Sequence, residues 1–201
     1  MMKKIIFGLA IAATTLAACN SNSNKSTESQ NRSKDTQAKS QTDNATITTS
    51  SVADAKNTIS IKEIVSTYLQ LKNALTRDNT TDAATAGTTL EAAFKNFDKT
   101  ALTAAQKKTF EDVEDDAREH AEHIGKNGGN IVHQREHFVI LSNDIYDLVK
   151  TFGGGQVLYK VFCPMYNNGK GAFWISETKE IKNPYLGKAM PTCGEIKEEL
   201  K

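Results

Sequence analysis

The chain has almost no surplus charge, with 25 Lys and Arg against 24 Asp and Glu over 201 residues. A nearly neutral chain offers no basic face for phosphates, which excludes an electrostatic case for nucleic-acid binding. Long apolar runs are also missing. The longest, Ile5 to Ala13, falls short of the roughly 20 residues that a membrane-spanning helix needs. Cysteine is scarce, at Cys19, Cys163 and Cys193 only. There are no internal repeats, no Gly-x-Ser-x-Gly elbow, no glycine-rich phosphate loop ahead of a helix and no haem-attachment motif. His120-Ala121-Glu122-His123 is too tightly spaced to be the His-Glu-x-x-His helix of zinc proteases. Cys163 and His137 would make a nucleophile pair, but no third group nearby would orient them. These absences point away from an enzyme.

What is present begins at the amino terminus. Lys3 and Lys4 precede the apolar run, and Leu16-Ala17-Ala18-Cys19 follows it. A charged start, a short apolar stretch and small residues before a cut are the parts of a secretory signal. A cysteine at the cut position resembles the lipobox of bacterial lipoproteins, whose thiol is diacylated before cleavage. An ordinary signal with an incidental cysteine is the plainer reading, but Leu16, Ala17 and Ala18 at the required offsets argue against it. The pattern predicts a signal peptide over residues 1–18 and lipid on Cys19. The mature chain would then be held at a bacterial membrane, its domain facing the periplasm. Loss of Lys3 and Lys4 leaves 23 basic against 24 acidic residues, a net of about −1.

From residue 19 to 55 the composition is dominated by Ser, Thr, Asn, Gln and Lys. Such a segment buries too little apolar surface to offset its ordering entropy, and about 36 residues of flexible tether would span roughly 30–36 Å. Residues 56–201 are long enough for one core. Four stretches carry helical periodicity. Ile61, Ile64, Val65, Tyr68, Leu71 and Leu75 form the first stripe, and Ala83, Ala86, Leu90, Ala93, Phe94 and Phe97 the second. Thr80-Thr81-Asp82 would cap that second helix. Thr103 to Gln106 has capping-box spacing, followed by Phe110, Val113, Ala117, Ala121 and Ile124. Phe138, Leu141, Ile145, Leu148 and Phe152 make the fourth stripe, after the turn region Gly125 to Asn130. Short connections predict a mainly α fold, an antiparallel four-helix bundle. Beyond Gly153-Gly154-Gly155 the pattern turns β: Val157 to Cys163 and Ala172 to Ile175 flank a turn at Asn167-Asn168-Gly169-Lys170-Gly171. A C-terminal β-hairpin and a loop-rich tail ending in a short charged helix complete the expected fold.

All four histidines lie within eighteen residues. His120 and His123 are three apart near the end of the third helix, and His133 and His137 are four apart at the start of the fourth. Both spacings share a helix face, and an antiparallel hairpin would bring the two pairs together. Neutral imidazole is the commonest protein metal ligand, although histidines near a helix C-terminus also interact with its dipole. A second constellation is soft: Cys163-Pro164-Met165, and Met190 through Cys193-Gly194. Thiolate and thioether ligands favour monovalent copper. Cysteine count alone points instead to a Cys163–Cys193 disulfide, closing about 30 residues and adding on the order of 3–4 kcal/mol.

One resemblance joins these pieces. The string Gln134-Arg135-Glu136-His137-Phe138, then Cys163-Pro164-Met165, Gly171 to Ser176, Ile181 to Tyr185 and Met190 to Glu195 resembles the bacterial domain-of-unknown-function family numbered 3347. The resemblance covers about residues 60–200. Members occur as stand-alone lipoproteins and attached to membrane-fusion subunits of copper- and silver-type efflux pumps. That company implies a periplasmic metal-binding or metal-delivery role, with contact to heavy-metal efflux pump subunits, although this chain carries no fusion-protein portion. The implied ligands are His137, Cys163, Met165, Met190 and Cys193, with His120, His123 and His133 as a second site or supporting partners. The sequence therefore leads to a lipid-anchored copper-binding protein. The alternatives are an adaptor lipoprotein stapled by Cys163–Cys193 and, further off, a hydrolase using the cysteine and histidine.

Overall fold

The computed structural model describes residues 60–201. The signal segment, Cys19 and the linker to residue 55 lie outside the described residues. Four helices, α1 (Lys62–Thr76), α2 (Thr80–Lys95), α3 (Ala104–Lys126) and α4 (Ile131–Phe152), precede strands β1 (Leu158–Cys163), β2 (Ala172–Ser176) and β3 (Glu195–Leu200). A single 3-10 turn, Gly187–Ala189, interrupts the tail. The fold is the expected mainly helical one, with a small antiparallel sheet at its C-terminal end. Among the described residues no helix is long and apolar enough to cross a membrane.

Each helix buries the stripe its sequence announces. Tyr68, Leu71 and Leu75 of α1, Leu90 and Phe94 of α2, Phe110, Ala117 and Ile124 of α3, and Phe138, Leu141, Ile145 and Leu148 of α4 all pack in one core. Burying a Leu, Ile or Phe is worth about 1.5–3 kcal/mol, so tertiary packing rather than propensity holds these helices. Thr103 forms the expected capping box with Gln106. The cap of α2 is a correction: Asn79 accepts the Asp82 amide, and Thr80 to Asp82 already lie inside the helix. Asn leads the capping preferences, and its position one residue earlier takes the role from the threonines. Helices α2 and α3 cross closely at Gly87 and Gly125. A Cβ on Gly87 would sit 2.8 Å from the Gly125 nitrogen and 2.9 Å from the Ala121 oxygen. That approach explains glycine in two helix interiors, where it otherwise costs about 1 kcal/mol.

The sheet has order β2-β1-β3, antiparallel throughout. β3 replaces the charged helix expected for the last residues. Six residues are too few for a stable isolated helix, whereas the free edge of β1 offers a ladder that pairs Leu158 with Leu200 and Val161 with Ile196. Leu200 is thereby buried. A hydroxyl hub ties the sheet to the bundle. Tyr68 Oη and Ser142 Oγ lie 2.8 Å apart, the Ile175 amide donates to Tyr68 Oη at 3.1 Å, and Tyr185 Oη donates to the Phe173 carbonyl at 2.5 Å.

Candidate metal centre

Residues 127–130 connect α3 to α4, so the last two turns of one helix face the first two of the next. Asn130 caps α4 by accepting the His133 amide, and Asn127 Nδ2 donates to the His123 carbonyl at 2.8 Å. The buried Gln134 amide donates from Nε2 to the Ile124 carbonyl at 3.2 Å and to the Thr80 carbonyl at 3.0 Å. Asn127 and Asn130 thus close the two histidine-bearing helix ends, and Gln134 ties the second to the first.

All four imidazoles gather there. His123, His133 and His137 each offer a ring nitrogen within 4.8 Å of the others, and this is the one such group of His, Cys, Asp or Glu ligand atoms among the described residues. His137 Nε2 lies 3.1 Å from His133 Nε2. Adjacent nitrogens on a tetrahedral ion with metal–nitrogen bonds of about 2.0–2.1 Å stand roughly 3.3 Å apart. The pair is therefore already spaced for one ion. His123 stacks on His137, with ring centroids 4.4 Å apart. His120 has Nδ1 2.7 Å from His137 Nδ1 and Nε2 3.3 Å from Asp116 Oδ1. It is buried and stands outside the three-nitrogen group.

The electrostatics suit a ligand set. His137 is pulled down to about 4, first by burial and then by repulsion from His123, His120 and His133. It is therefore neutral at physiological pH, with one lone pair to donate. Two turns along α4, the carboxyl of buried Asp144 is pushed up to about 7 by burial, then by Asp116 and Asp147. Its Oδ2 has no hydrogen-bond partner in the described structure.

The sulfur residues occupy another place. Cys163 is buried at the end of β1, and its thiol neighbours that of Cys193. Both are free thiols. Burial first, then the Cys163 thiol, raises the Cys193 thiol, and the nearby Met165 backbone opposes that shift. A turn from the Met190 carbonyl to the Cys193 amide and a 2.6 Å bond from Asn183 Nδ2 to the Cys193 carbonyl hold this loop. Met165 and Met190 are exposed. The structure thus brings Cys163 and Cys193 together, and puts His137 with the other histidines. Sequence reasoning passed over Asp116, Gln134 and Asp144. Asp116 had a signal, because it precedes His120 by one turn; the other two are visible only once the helices are packed.

The geometry defines a class first: a four-helix bundle whose last hairpin carries a histidine group able to hold a metal ion. The sequence model of the family described as Protein of unknown function (DUF3347) matches residues 64–156. The match spans the four helices and agrees there with the resemblance read from the sequence. No curated protein and no solved structure matches the chain.

Proposed function

We propose that this chain is an exported, lipid-anchored protein that binds a copper-class metal ion and hands it on, rather than an enzyme. The observation that carries the metal reading is the convergence of three imidazole nitrogens within 4.8 Å. Three histidines leave a fourth position open on a tetrahedral ion. The side chains of His123 and His133 are 44 % and 33 % exposed, so an ion held there is accessible to a partner. Imidazole serves zinc, nickel and copper, and the ordinary affinity order places divalent copper highest. The neighbouring thiols of Cys163 and Cys193, flanked in sequence by Met165 and Met190, are donors of the class that prefers monovalent copper. The lipid anchor rests on Leu16 to Cys19, and pump subunits as partners rest on the company the family keeps.

A second reading has support in the side-by-side thiols: in an oxidising compartment the same pair would close as a staple of an adaptor protein. The two readings separate on melting temperature. An ion that binds only the native state raises stability by about 2.7 kcal/mol at one hundred times its Kd. Metal binding predicts that Cu(II) and reduced Cu(I) each raise the melting temperature of the purified protein. The adaptor reading predicts no metal response at all, and that result overturns the proposal.

A further inference from the structure

His120 looks like a fourth ligand in the sequence, yet its Nδ1 is hydrogen-bonded to His137 and its Nε2 faces the Asp116 carboxylate. Nε2 lies 3.3 Å from Asp116 Oδ1, and Nδ1 lies 2.7 Å from His137 Nδ1. The ring is buried, so its Nδ1 depends on His137 for a partner, and the Asp116 carboxylate is the nearest charge to Nε2. A contact of 2.7 Å between two imidazole nitrogens is a hydrogen bond only if one nitrogen carries a proton and the other a lone pair.

The carboxylate decides which. Asp116 accepts and cannot donate when ionised, so the proton of neutral His120 belongs on Nε2, facing Asp116. His120 Nδ1 then holds a lone pair, and the proton of the 2.7 Å bond must come from His137 Nδ1. Neutral His137 has one ring proton, which leaves a lone pair on its Nε2, so that in the metal-free protein His133 Nε2 carries the proton of the contact between them. His137 Nε2 is the nitrogen 3.1 Å from His133 Nε2, at the mouth of the three-histidine group. The reverse arrangement would put a lone pair of His120 against the Asp116 carboxylate and the proton of His137 on the nitrogen that has to bind the ion.

We infer that Asp116 and His120 are positioning residues that lock His137 in the tautomer with its proton on Nδ1 and its lone pair on Nε2, aimed at the metal position. This inference rests on the metal reading for its purpose but not for its geometry. Carboxylate-to-histidine contacts behind a ligand fix ring orientation and raise basicity, and their loss commonly weakens metal binding about 10–100-fold. Here the contact is extended by one further imidazole, running Asp116 to His120 to His137.

Long-range proton–nitrogen NMR of the imidazoles in metal-free protein tests the arrangement directly. The expected result is His137 as the Nδ1–H tautomer and His120 as the Nε2–H tautomer, with Asp116→Asn moving His120 toward a mixture. Finding His137 with its proton on Nε2, or finding both rings indifferent to Asp116→Asn, overturns the inference. His120→Asn keeps an acceptor near the Nδ1 position, whereas His120→Leu does not. The Asn variant should therefore retain the His137 tautomer and Zn(II) affinity, while the Leu variant loses affinity by about 10–100-fold. Equal loss in both variants also counts against it. The expected tautomers without any metal uptake would sink the metal reading and leave the relay standing.

Discussion

The histidine hairpin and the thiol pair reach their geometry by opposite routes. The hairpin needs only helix periodicity on two adjacent segments and the four connecting residues 127–130. The thiol pair needs a strand, a hairpin loop, the tail and a third strand before residues thirty positions apart meet. The first is mostly local: Asn127 and Asn130 bond within four residues and Gln134 bonds to Ile124, with one longer bond from Gln134 to Thr80. The second depends on docking of the whole C-terminal region. A site built locally should survive damage that a site built by long-range closure does not, and the two should differ in the ions they prefer.

The largest effect expected from that contrast is a separation of metal specificity. Replacing His123, His133 and His137 by Ala should cost at least about 1000-fold in Cu(II) or Zn(II) affinity, since removing ligands exceeds the 10–100-fold cost of losing their supports. Replacing Cys163 and Cys193 by Ser should leave those affinities within about threefold, and weaken Cu(I) uptake instead. Calorimetric titration of each variant with each ion checks this. A single mutation set that removes all uptake would merge the two regions into one site.

The next effect concerns the link between them. Arg135 sits on α4 between His133 and His137, with its side chain turned toward the tail. Its Nε donates to the Pro184 carbonyl at 2.7 Å, and Nη2 donates to the Leu75 carbonyl at 3.0 Å and to Asp78 Oδ1 at 2.5 Å. Asp78 also accepts the Lys188 amide, so one ion pair clamps α1, α4 and the tail. Arg135→Leu should destabilise by about 1–3 kcal/mol, because it removes three hydrogen bonds from a side chain while Asp78 keeps some access to water. Below the unfolding transition, Cys193 should become reactive to thiol reagents while the histidines still bind metal. Urea unfolding and thiol-labelling rates measure the two parts separately. Equal loss at both sites would mean that the hairpin is not independently organised.

Particular residues show which parts of this could be read in advance. The four helical stripes, the Thr103 capping box and the two histidine pairs follow from periods of three and four residues, which any helix imposes. The hairpin strands followed from β-branched and aromatic runs around an Asn-Gly turn. Residues 195–200 did not, because Glu-Ile-Lys-Glu-Glu-Leu favours a helix locally, and only the free edge of β1 makes it a strand. The Arg135–Asp78 pair spans 57 positions and leaves no trace in local spacing. His120 illustrates a finer limit. Periodicity placed it correctly beside the other imidazoles, but only the packed helices show its Nδ1 bonded to His137 and its Nε2 facing Asp116.

A smaller effect tests the seam between α3 and α4 through pH. Asp144 titrates near 3.8 when unfolded and about 7 when folded. As pH rises from about 4 to 7, the unfolded chain gives up a proton that the folded chain keeps. Stability therefore falls through that window and levels off above it. A rise of about three units corresponds to roughly 4 kcal/mol, of which some is offset because the carboxyl is not sealed from water. Asp144→Asn introduces an unpaired amide of its own, so the recoverable part is about 2 kcal/mol. The variant should be more stable than the wild type at pH 8 and no more stable at pH 4, as chemical denaturation at the two pH values would show. A gain of the same size at both would mean that Asp144 acts through packing and not through its charge.

The smallest effect is the most local. Asn130 accepts the His133 amide at the start of α4, and replacing such a cap by Ala costs about 1 kcal/mol, by Gly only a few tenths. That amide belongs to one of the ligands, so the lost cap frays the turn that carries His133 and leaves His137, one turn further in, in place. Asn130→Ala should therefore lower metal affinity several-fold more than Asn130→Gly, in proportion to the fraying. Neither variant should change Cys193 labelling, because the hydrogen bonds of Asn130 run to Asn127, His133 and Gln134. Should Asn130→Ala loosen the thiols as much as the histidines, the distinction between a locally built and a distantly built site would fail at the point where it is most exposed to test.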